Sequence, residues 1–310
     1  MRLILLLNMG GPNDLSEVEV FLKNMFNDPC ILGIKSQLLR KIASFAITKS
    51  RLKTAQNNYR QIGGKSPICE LTARLCGKIS HFLDRDETAA FAMNYTPPFT
   101  KDVLAEFAQV SEIVVFPLYP HHSITTVTSS LNDFNKACRE LNLQAKIKIV
   151  EPFFADDRYN EIIADCIEKS ARNLNTDDIT LVFSAHSLPQ KIIDAGDVYE
   201  EHVKRHVQIL TEILEKRGVK FKQILLAYQS KLGPVKWLEP SLNQALAEMK
   251  DKKALVYPIS FCIDNSETVF ELSNEFRHIA SELNFDFYDV VGCPNDNEKF
   301  AKFIADKARE

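Results

Sequence analysis

Clustered cysteine is what this 310-residue sequence most plainly lacks. Cys30, Cys69, Cys76, Cys138, Cys166, Cys262 and Cys293 are odd in number and scattered, and no CxxC occurs. Neither a disulfide framework nor a clustered zinc or iron–sulfur site is therefore indicated, and the usage points to a reduced, cytoplasmic protein. Long apolar runs are also missing. The opening MRLILLL is too short for a signal peptide and meets Asn8, Gly10 and Gly11 at once, and no stretch approaches a transmembrane span. The glycine pair is not part of a GxGxxG, so a nucleotide-dependent reading, which would require NAD or ATP binding, is weak. No P-loop, HExxH or Ser/His/Asp triad stands out. Acidic residues are absent between Asp28 and Glu70, where Lys35, Arg40, Lys41, Lys49, Arg51, Lys53, Arg60 and Lys65 all lie. In a chain of formal net charge −3 that block asks for an anionic partner, or else is a solvated basic helix face. Nucleic acid fits poorly, because the block has few interleaved aromatics and belongs to no nucleic-acid module.

What is present reads as ordinary globular composition, 45% hydrophobic and 25% charged, in a chain long enough for two domains. Short apolar runs at 3–7, 89–93, 113–118 and 147–150, then at 181–183, 224–227, 254–258 and 287–291, read as buried parallel strands. Segments of helical period lie between them, at 15–26, 36–59, 68–83, 157–172, 197–217 and 297–308. Alternation of this kind predicts an α/β fold with parallel sheets covered on both faces. The strand-end loops LLLNMGGP, FAMNYTPP and VVFPLYPHHS are echoed by LVFSAHSLP, LLAYQSKLGP and LVYPISFCIDNSE. A shift of 141 residues sets Pro117 on Pro258, Ser123 on Asp264, Thr126 on Glu267 and Ser130 on Glu271. The chain reads as a duplicated unit whose halves face each other across a cleft, one wall bearing hydroxyls and the other carboxylates.

The stretch 255–280, LVYPISFCIDNSETVFELSNEFRHIA, reads as a strand, a polar turn and a helix. At 100° per residue Glu267, Glu271, Asn274 and His278 share one wedge, opposite Val269, Leu272, Phe276 and Ile279. Two carboxylates at i and i+4 weaken an exposed helix unless a cation sits over them. The plainer reading makes Asp264 an N-cap, Glu267 its capping-box partner and Glu271 a solvated side chain. The functional reading starts from the carboxyl ends of strands, where open α/β sheets bind ligands. His186 directly follows such a strand. With Glu267 it forms a candidate pair for a borderline divalent ion such as iron(II), or for general base chemistry without metal. Tyr59, Tyr95, Tyr119, Ser230 and Trp237 are core or rim residues that together suit a flat aromatic ligand.

NMGGP at 8–12, YRQIGGKSPI at 59–68, FPLYPHHSITTVTSS at 116–130, FSAHSLP at 183–189, AYQSKLGPVKWLEP at 227–240 and DNSETVFEL at 264–272 together resemble the ferrochelatase family. Six blocks in order span nearly the whole chain. The resemblance implies a lyase that inserts ferrous iron into protoporphyrin IX to form protohaem, with two protons released. It implies two similar doubly wound, Rossmann-like domains, each on a four-stranded parallel sheet in a chelatase-like arrangement. Their expected bounds are 1–151 plus 295–310, the last segment a helix crossing back onto the first domain, and 152–294. By the same likeness His186 and Glu267 are the catalytic pair, and His186, Glu267 and Glu271 the metal residues. Met9 and Phe26 would line the porphyrin, Arg51, Tyr59, Ser66 and Ser230 would lie near its propionates, and Tyr119 is a further substrate contact. No permanently bound cofactor and no iron–sulfur cluster are expected, iron(II) being a substrate, and the protein is expected to be a monomer. Phe21, Met25, Phe26, Ile31 and Leu32, followed by the basic block, would form a lip suited to a porphyrin and to peripheral contact with an anionic membrane surface. A buried lid helix without membrane contact fits the same residues.

Two departures stand out: Asn265 and Asn94 replace a histidine and an arginine usual in the family. His121 and His122 stand where the family more often reads Gln-Tyr; one of them would compensate for these departures, or both are surface histidines, the plainer expectation. A coproporphyrin ferrochelatase and a non-catalytic tetrapyrrole carrier remain open alternatives at this point.

Overall fold

The computed structural model describes residues 1–231 and 233–310, so position 232, inside the 227–240 motif, lies outside the described residues. The chain divides into two compact units. The first comprises Met1–Tyr119, Ser123–Glu151 and Asp296–Glu310, the second Pro120–His122 and Pro152–Asn295.

All eight predicted strands occur. In the first unit β1 (Arg2–Asn8), β2 (Glu87–Met93), β3 (Glu112–Pro117) and β4 (Lys146–Ile149) form a parallel sheet in the order β2-β1-β3-β4. The second unit repeats that order as β6-β5-β7-β8, with β5 (Thr180–His186), β6 (Gln223–Gln229), β7 (Lys253–Tyr257) and β8 (Phe287–Val290). Strand character follows position. The inner strands β1 and β5 are largely apolar and almost wholly buried because both of their faces are covered. Edge strand β4, Lys-Ile-Lys-Ile, leaves most of its side chains in solvent, and charge on an edge discourages further pairing.

Side chains alternate across each sheet. Leu3, Leu5 and Leu7 of β1 therefore join Ile113, Val115 and Phe134 in one core of the first unit. In the second unit Val182, Ala254 and Val256 pack with Leu272, Phe276 and Ala280, which fixes the helical segment after β7 onto the sheet. At about 1.5–3 kcal/mol for each large buried side chain, Leu272 and Phe276 dominate that attachment. The C-terminal helix, Glu298–Arg309, packs on the first unit: Phe303 meets Phe116 edge-on at 6.4 Å, and Arg2 donates to the Ala308 carbonyl at 2.8 Å.

The predicted helix over 265–280 is a composite. Glu267–Glu275 is wound as a π-helix and continues as an α-helix, Phe276–Glu282. The first unit has the same device after β3: a π-turn at Ile124–Thr128 leads into the α-helix Ser129–Glu140. The 141-residue echo thus extends to an uncommon, wide-turned winding often found at functional sites.

The Gly10–Gly11 loop is a packing device. Gly10 has φ +85°, and a Cβ there would lie 2.5 Å from Thr96 Oγ1; a Cβ on Gly11 would lie 2.6 Å from the Ser66 Cβ. Gly11 N–H donates to Thr96 Oγ1 at 3.1 Å, so the amide is already used. Gly10→Ala is expected to lower stability by about 1–3 kcal/mol. Thermal melts would show a lower Tm, and an unchanged midpoint would contradict the close approach.

Candidate active site

His186 ends β5 and is paired in register with Gln229, the last residue of β6. Ser230 follows in the left-handed region, φ +67°, a conformation that turns the chain sharply at the strand end. Glu267 and Glu271 come from the π-segment after β7. Three neighbouring strand ends of one sheet thus converge at the position where open parallel sheets gather ligands.

His186 Nδ1 and Glu267 Oε2 lie 2.7 Å apart. An ionised carboxylate only accepts, so the Nδ1–H donates and Nε2 is the nitrogen left for chemistry. Ser230 Oγ donates to Glu267 Oε2 at 3.2 Å and to Glu271 Oε2, and Ser230 N–H donates to Glu271 Oε1 at 2.7 Å. Gln229 Nε2 adds a longer contact to Glu271 Oε2 at 3.3 Å, while Gln229 Oε1 accepts from Ser184 at 2.6 Å. Among the described residues no three histidine, cysteine, aspartate or glutamate side chains surround a common cation position.

Glu267 is free for this bond because the capping box of the plainer reading is not built. Asp264 faces the loop after β8, accepting from Asn295 Nδ2 at 2.6 Å and from Cys293 N–H at 3.4 Å. The cap falls one residue later: Asn265 Oδ1 accepts from Glu267 N–H at 2.8 Å, and Thr268 Oγ1 accepts from Asn265 N–H at 3.0 Å. Asn265, buried at the head of the segment, does the capping that the sequence reading gave to Asp264 and Glu267. Asn274 and His278 are also displaced from the expected wedge. Both are exposed, and His278 pairs with Glu282 at 3.3 Å, because the wider winding changes which residues share a face with Glu267.

Electrostatics separates the three groups. Burial opposes charge on His186, but the Glu267 carboxylate and its hydrogen bond outweigh it and raise the imidazole above its ordinary range. Burial likewise opposes charge on Glu267, but His186 and the Ser230 hydroxyl hold that carboxyl below its usual value. Glu271 goes the other way: burial first, and then the Glu267 charge, push it from 4.5 up to about 7. The site at neutral pH is an imidazole–carboxylate pair beside a carboxyl group poised to take or give a proton.

The remaining predicted residues lie in the first unit, apart from Ser230, whose hydroxyl is engaged by the two carboxylates, and Trp237, which is partly buried in the second unit. Phe26 and Tyr59 are buried in one apolar cluster with Val18, Phe21, Leu22 and Tyr95, and Met9 packs against it. Ser66 is buried where its loop crosses Gly11, and Tyr119 is buried with its hydroxyl 3.0 Å from Ser130 Oγ. Arg51 is partly exposed and has no ion-pair partner among the described residues. The hydroxyl wall of this unit encloses a carboxylate that the sequence reading missed. Asp28 accepts from Tyr95 Oη at 2.8 Å and from Ser129 Oγ, and Asn94 Nδ2 donates to Ser129 at 2.7 Å.

Of the two histidines expected at the surface, His121 is not there, while His122 is only partly buried. His121 is buried, its Nε2 is 2.9 Å from His206 Nδ1, and His206 Nε2 is 2.8 Å from Asn160 Oδ1. Burial holds both imidazoles below the ordinary histidine range, His206 at about 3, so the pair stays neutral. The expected lip also differs, since Phe21 and Phe26 are buried. The exposed apolar face lies further on, along the helix Gln37–Arg60, with Leu38 69%, Leu39 59%, Ile42 59% and Phe45 63% exposed. Among the described residues no helix is long and apolar enough to cross a membrane.

A family model described as Ferrochelatase matches residues 3–310. The chain is 60% identical over 308 residues to the ferrochelatase of Campylobacter concisus (strain 13826), covering 99% of this chain and 97% of that protein. It is 53% identical over 310 residues to that of Campylobacter fetus subsp. fetus (strain 82-40), covering 100% and 99%, and 49% identical over 308 residues to that of a Nitratiruptor species, covering 99% and 98%. Among solved structures, SirB from Bacillus subtilis with Fe3+ superposes with a TM-score of 0.56 at 12% identity, covering 100% of this chain and 94% of that one. CbiX, described as the terminal enzyme for biosynthesis of siroheme in denitrifying bacteria, gives 0.53 at 13%, covering 99% and 97%. These two likenesses bear on the fold, a chelatase fold of two α/β units.

The raised Glu271 generates a stability prediction. A carboxyl with a folded value above its unfolded one binds more protons folded than unfolded, so its contribution to stability declines as pH rises from 4.5 to about 7. Glu271→Gln removes that decline. Relative to the parent, the variant is expected to gain about 1 kcal/mol between pH 5 and pH 8, after allowance for solvent screening. Paired denaturant titrations at the two pH values measure it, and a pH-independent difference would refute the assignment.

Proposed function

Because the chain belongs to the ferrochelatase family of metal-chelating lyases, we propose that it inserts Fe(II) into protoporphyrin IX, forming protohaem with release of two protons. The observation that carries the reading is the 2.7 Å contact between His186 and Glu267 at the carboxyl ends of the second unit's strands. Neutral His186, its Nδ1–H held by Glu267, accepts a pyrrole proton at Nε2, and Glu267 stabilises the imidazolium that results. Glu271, poised near neutrality beside Glu267, relays the proton outward. Imidazole and carboxylate also form a donor set suited to a borderline divalent ion, so His186, Glu267 and Glu271 are assigned the approach of Fe(II) as substrate. Met9, Phe26 and Tyr119 are assigned to the macrocycle, and Arg51, Tyr59 and Ser66 to its carboxylates. For Arg51 the supporting fact is that its charge is not already spent on an ion pair. Ser230 is assigned to the two carboxylates as a hydrogen-bond donor.

Anaerobic incubation with Fe(II) and porphyrin, followed by the shift of the porphyrin absorption band, tests this reading. Wild type is expected to metallate protoporphyrin faster than coproporphyrin, and the reverse order would make it a coproporphyrin enzyme. The rate is expected to rise with pH through a group titrating above the ordinary histidine range, as His186 loses its proton. His186→Ala is expected to lower kcat at least ~10²-fold while retaining porphyrin binding. Full activity in that variant would sink the assignment.

We further propose a cytoplasmic protein that meets an anionic bilayer surface with the helix Gln37–Arg60. Four exposed apolar side chains on it lie among Lys35, Lys41, Lys49 and Lys53, the pairing of features that favours the interface of acidic membranes. Co-sedimentation with vesicles containing phosphatidylserine is expected, reduced by salt and by Phe45→Glu. Equal recovery with and without vesicles would overturn it.

A further inference from the structure

Both main-chain polar groups of His186 are tied into a closed ring of hydrogen bonds. His186 N–H donates to Ser260 Oγ at 3.2 Å, the Tyr199 hydroxyl donates to the His186 carbonyl at 2.9 Å, and the two hydroxyls lie 2.6 Å apart. Tyr199 spends its only proton on the carbonyl, so Ser260 donates to Tyr199, and each hydroxyl gives one bond and takes one. The ring occupies a gap in the sheet. Pairing of β5 with β7 stops at Phe183 opposite Tyr257, and the last bond on that side runs from Ile259 N–H to the Ser184 carbonyl at 3.0 Å. Toward β6 the ladder goes on, Ser187 N–H donating to the Gln229 carbonyl at 2.8 Å. His186 therefore presents its N–H and C=O to the side from which β7 has departed.

Tyr199 is itself constrained. Its N–H donates to Asp197 Oδ1 at 2.9 Å, and its buried ring stands edge-on to His121 at 5.8 Å, with the neutral His121–His206 pair behind it. We propose that Tyr199 and Ser260 are positioning residues for the metallation reaction: they replace the missing strand and aim the His186 imidazole at Glu267. This rests on the reading of His186 as the pyrrole base.

The test compares Tyr199→Phe, Ser260→Ala, the double variant and Ser260→Thr. Each of the first two is expected to lower kcat about tenfold with KM for porphyrin within about twofold of wild type, since misplacement of a reacting group costs rate more than affinity. The double variant is expected to be no worse than the poorer single one, because either loss opens the ring, and Ser260→Thr is expected to retain activity. The second readout is the downfield proton resonance of the His186 Nδ1–H, expected to weaken or disappear in Tyr199→Phe. Unchanged kcat, or losses that multiply in the double variant with the proton signal intact, would overturn the proposal. If His186→Ala proves fully active, the base assignment fails, yet the proton resonance still decides whether the ring aims the imidazole. Ser260 is only partly buried, so Ser260→Ala retains the fold even if Tyr199→Phe does not.

Discussion

The short contact between His186 and Glu267 is the constraint from which the second unit's polar architecture can be understood. For that bond to form, the carboxylate must not be consumed in capping its own helix. Asn265 and Thr268 take over that task one residue further on, and Asp264 is drawn away toward Asn295. The imidazole needs support where β7 no longer runs beside β5, and two hydroxyls supply it. The second carboxyl group, Glu271, is pushed up to about 7 and so titrates near neutral pH, since two buried like charges beside one imidazole cannot both be compensated.

The two halves use one scaffold for opposite electrostatics. Each carries a sheet of the same strand order, and each resumes after its third strand with a widened helical turn. The second half puts Glu267 and Glu271 on that turn; the first puts hydroxyls there and lets Asp28 from a different segment accept from Ser129 and Tyr95. Asn94, in place of an arginine, donates to the same Ser129 and so joins this network. Asn265, in place of a histidine, has become a cap. Both departures are thereby accounted for by local hydrogen bonding, without loss of the imidazole–carboxylate pair.

Much of the fold was legible because its determinants are local. Continuous apolar runs such as Leu3–Leu7 and Leu181–Phe183 announce strands covered on both faces, and the spacing of Leu272, Phe276 and Ile279 announces the face that docks. The side chains that could meet at the strand ends were legible too, because a histidine and a glutamate following two strands of one parallel sheet are brought to the same edge. What single-sequence pattern could not reveal was the winding. A π-segment has the composition of an α-helix, so residue pattern alone does not announce it.

The sequence by itself determined the strands, the duplicated layout and the candidate imidazole–carboxylate pair, since these depend on residue type and period. Tertiary structure alone decided that Asn274 and His278 face solvent, that His121 is buried against His206, and that Ser230 serves the carboxylates. It also decided that Tyr199 and Ser260 hydrogen-bond to the main chain of His186. Each of these is a contact between residues from separate segments, set by chain geometry that no local pattern encodes.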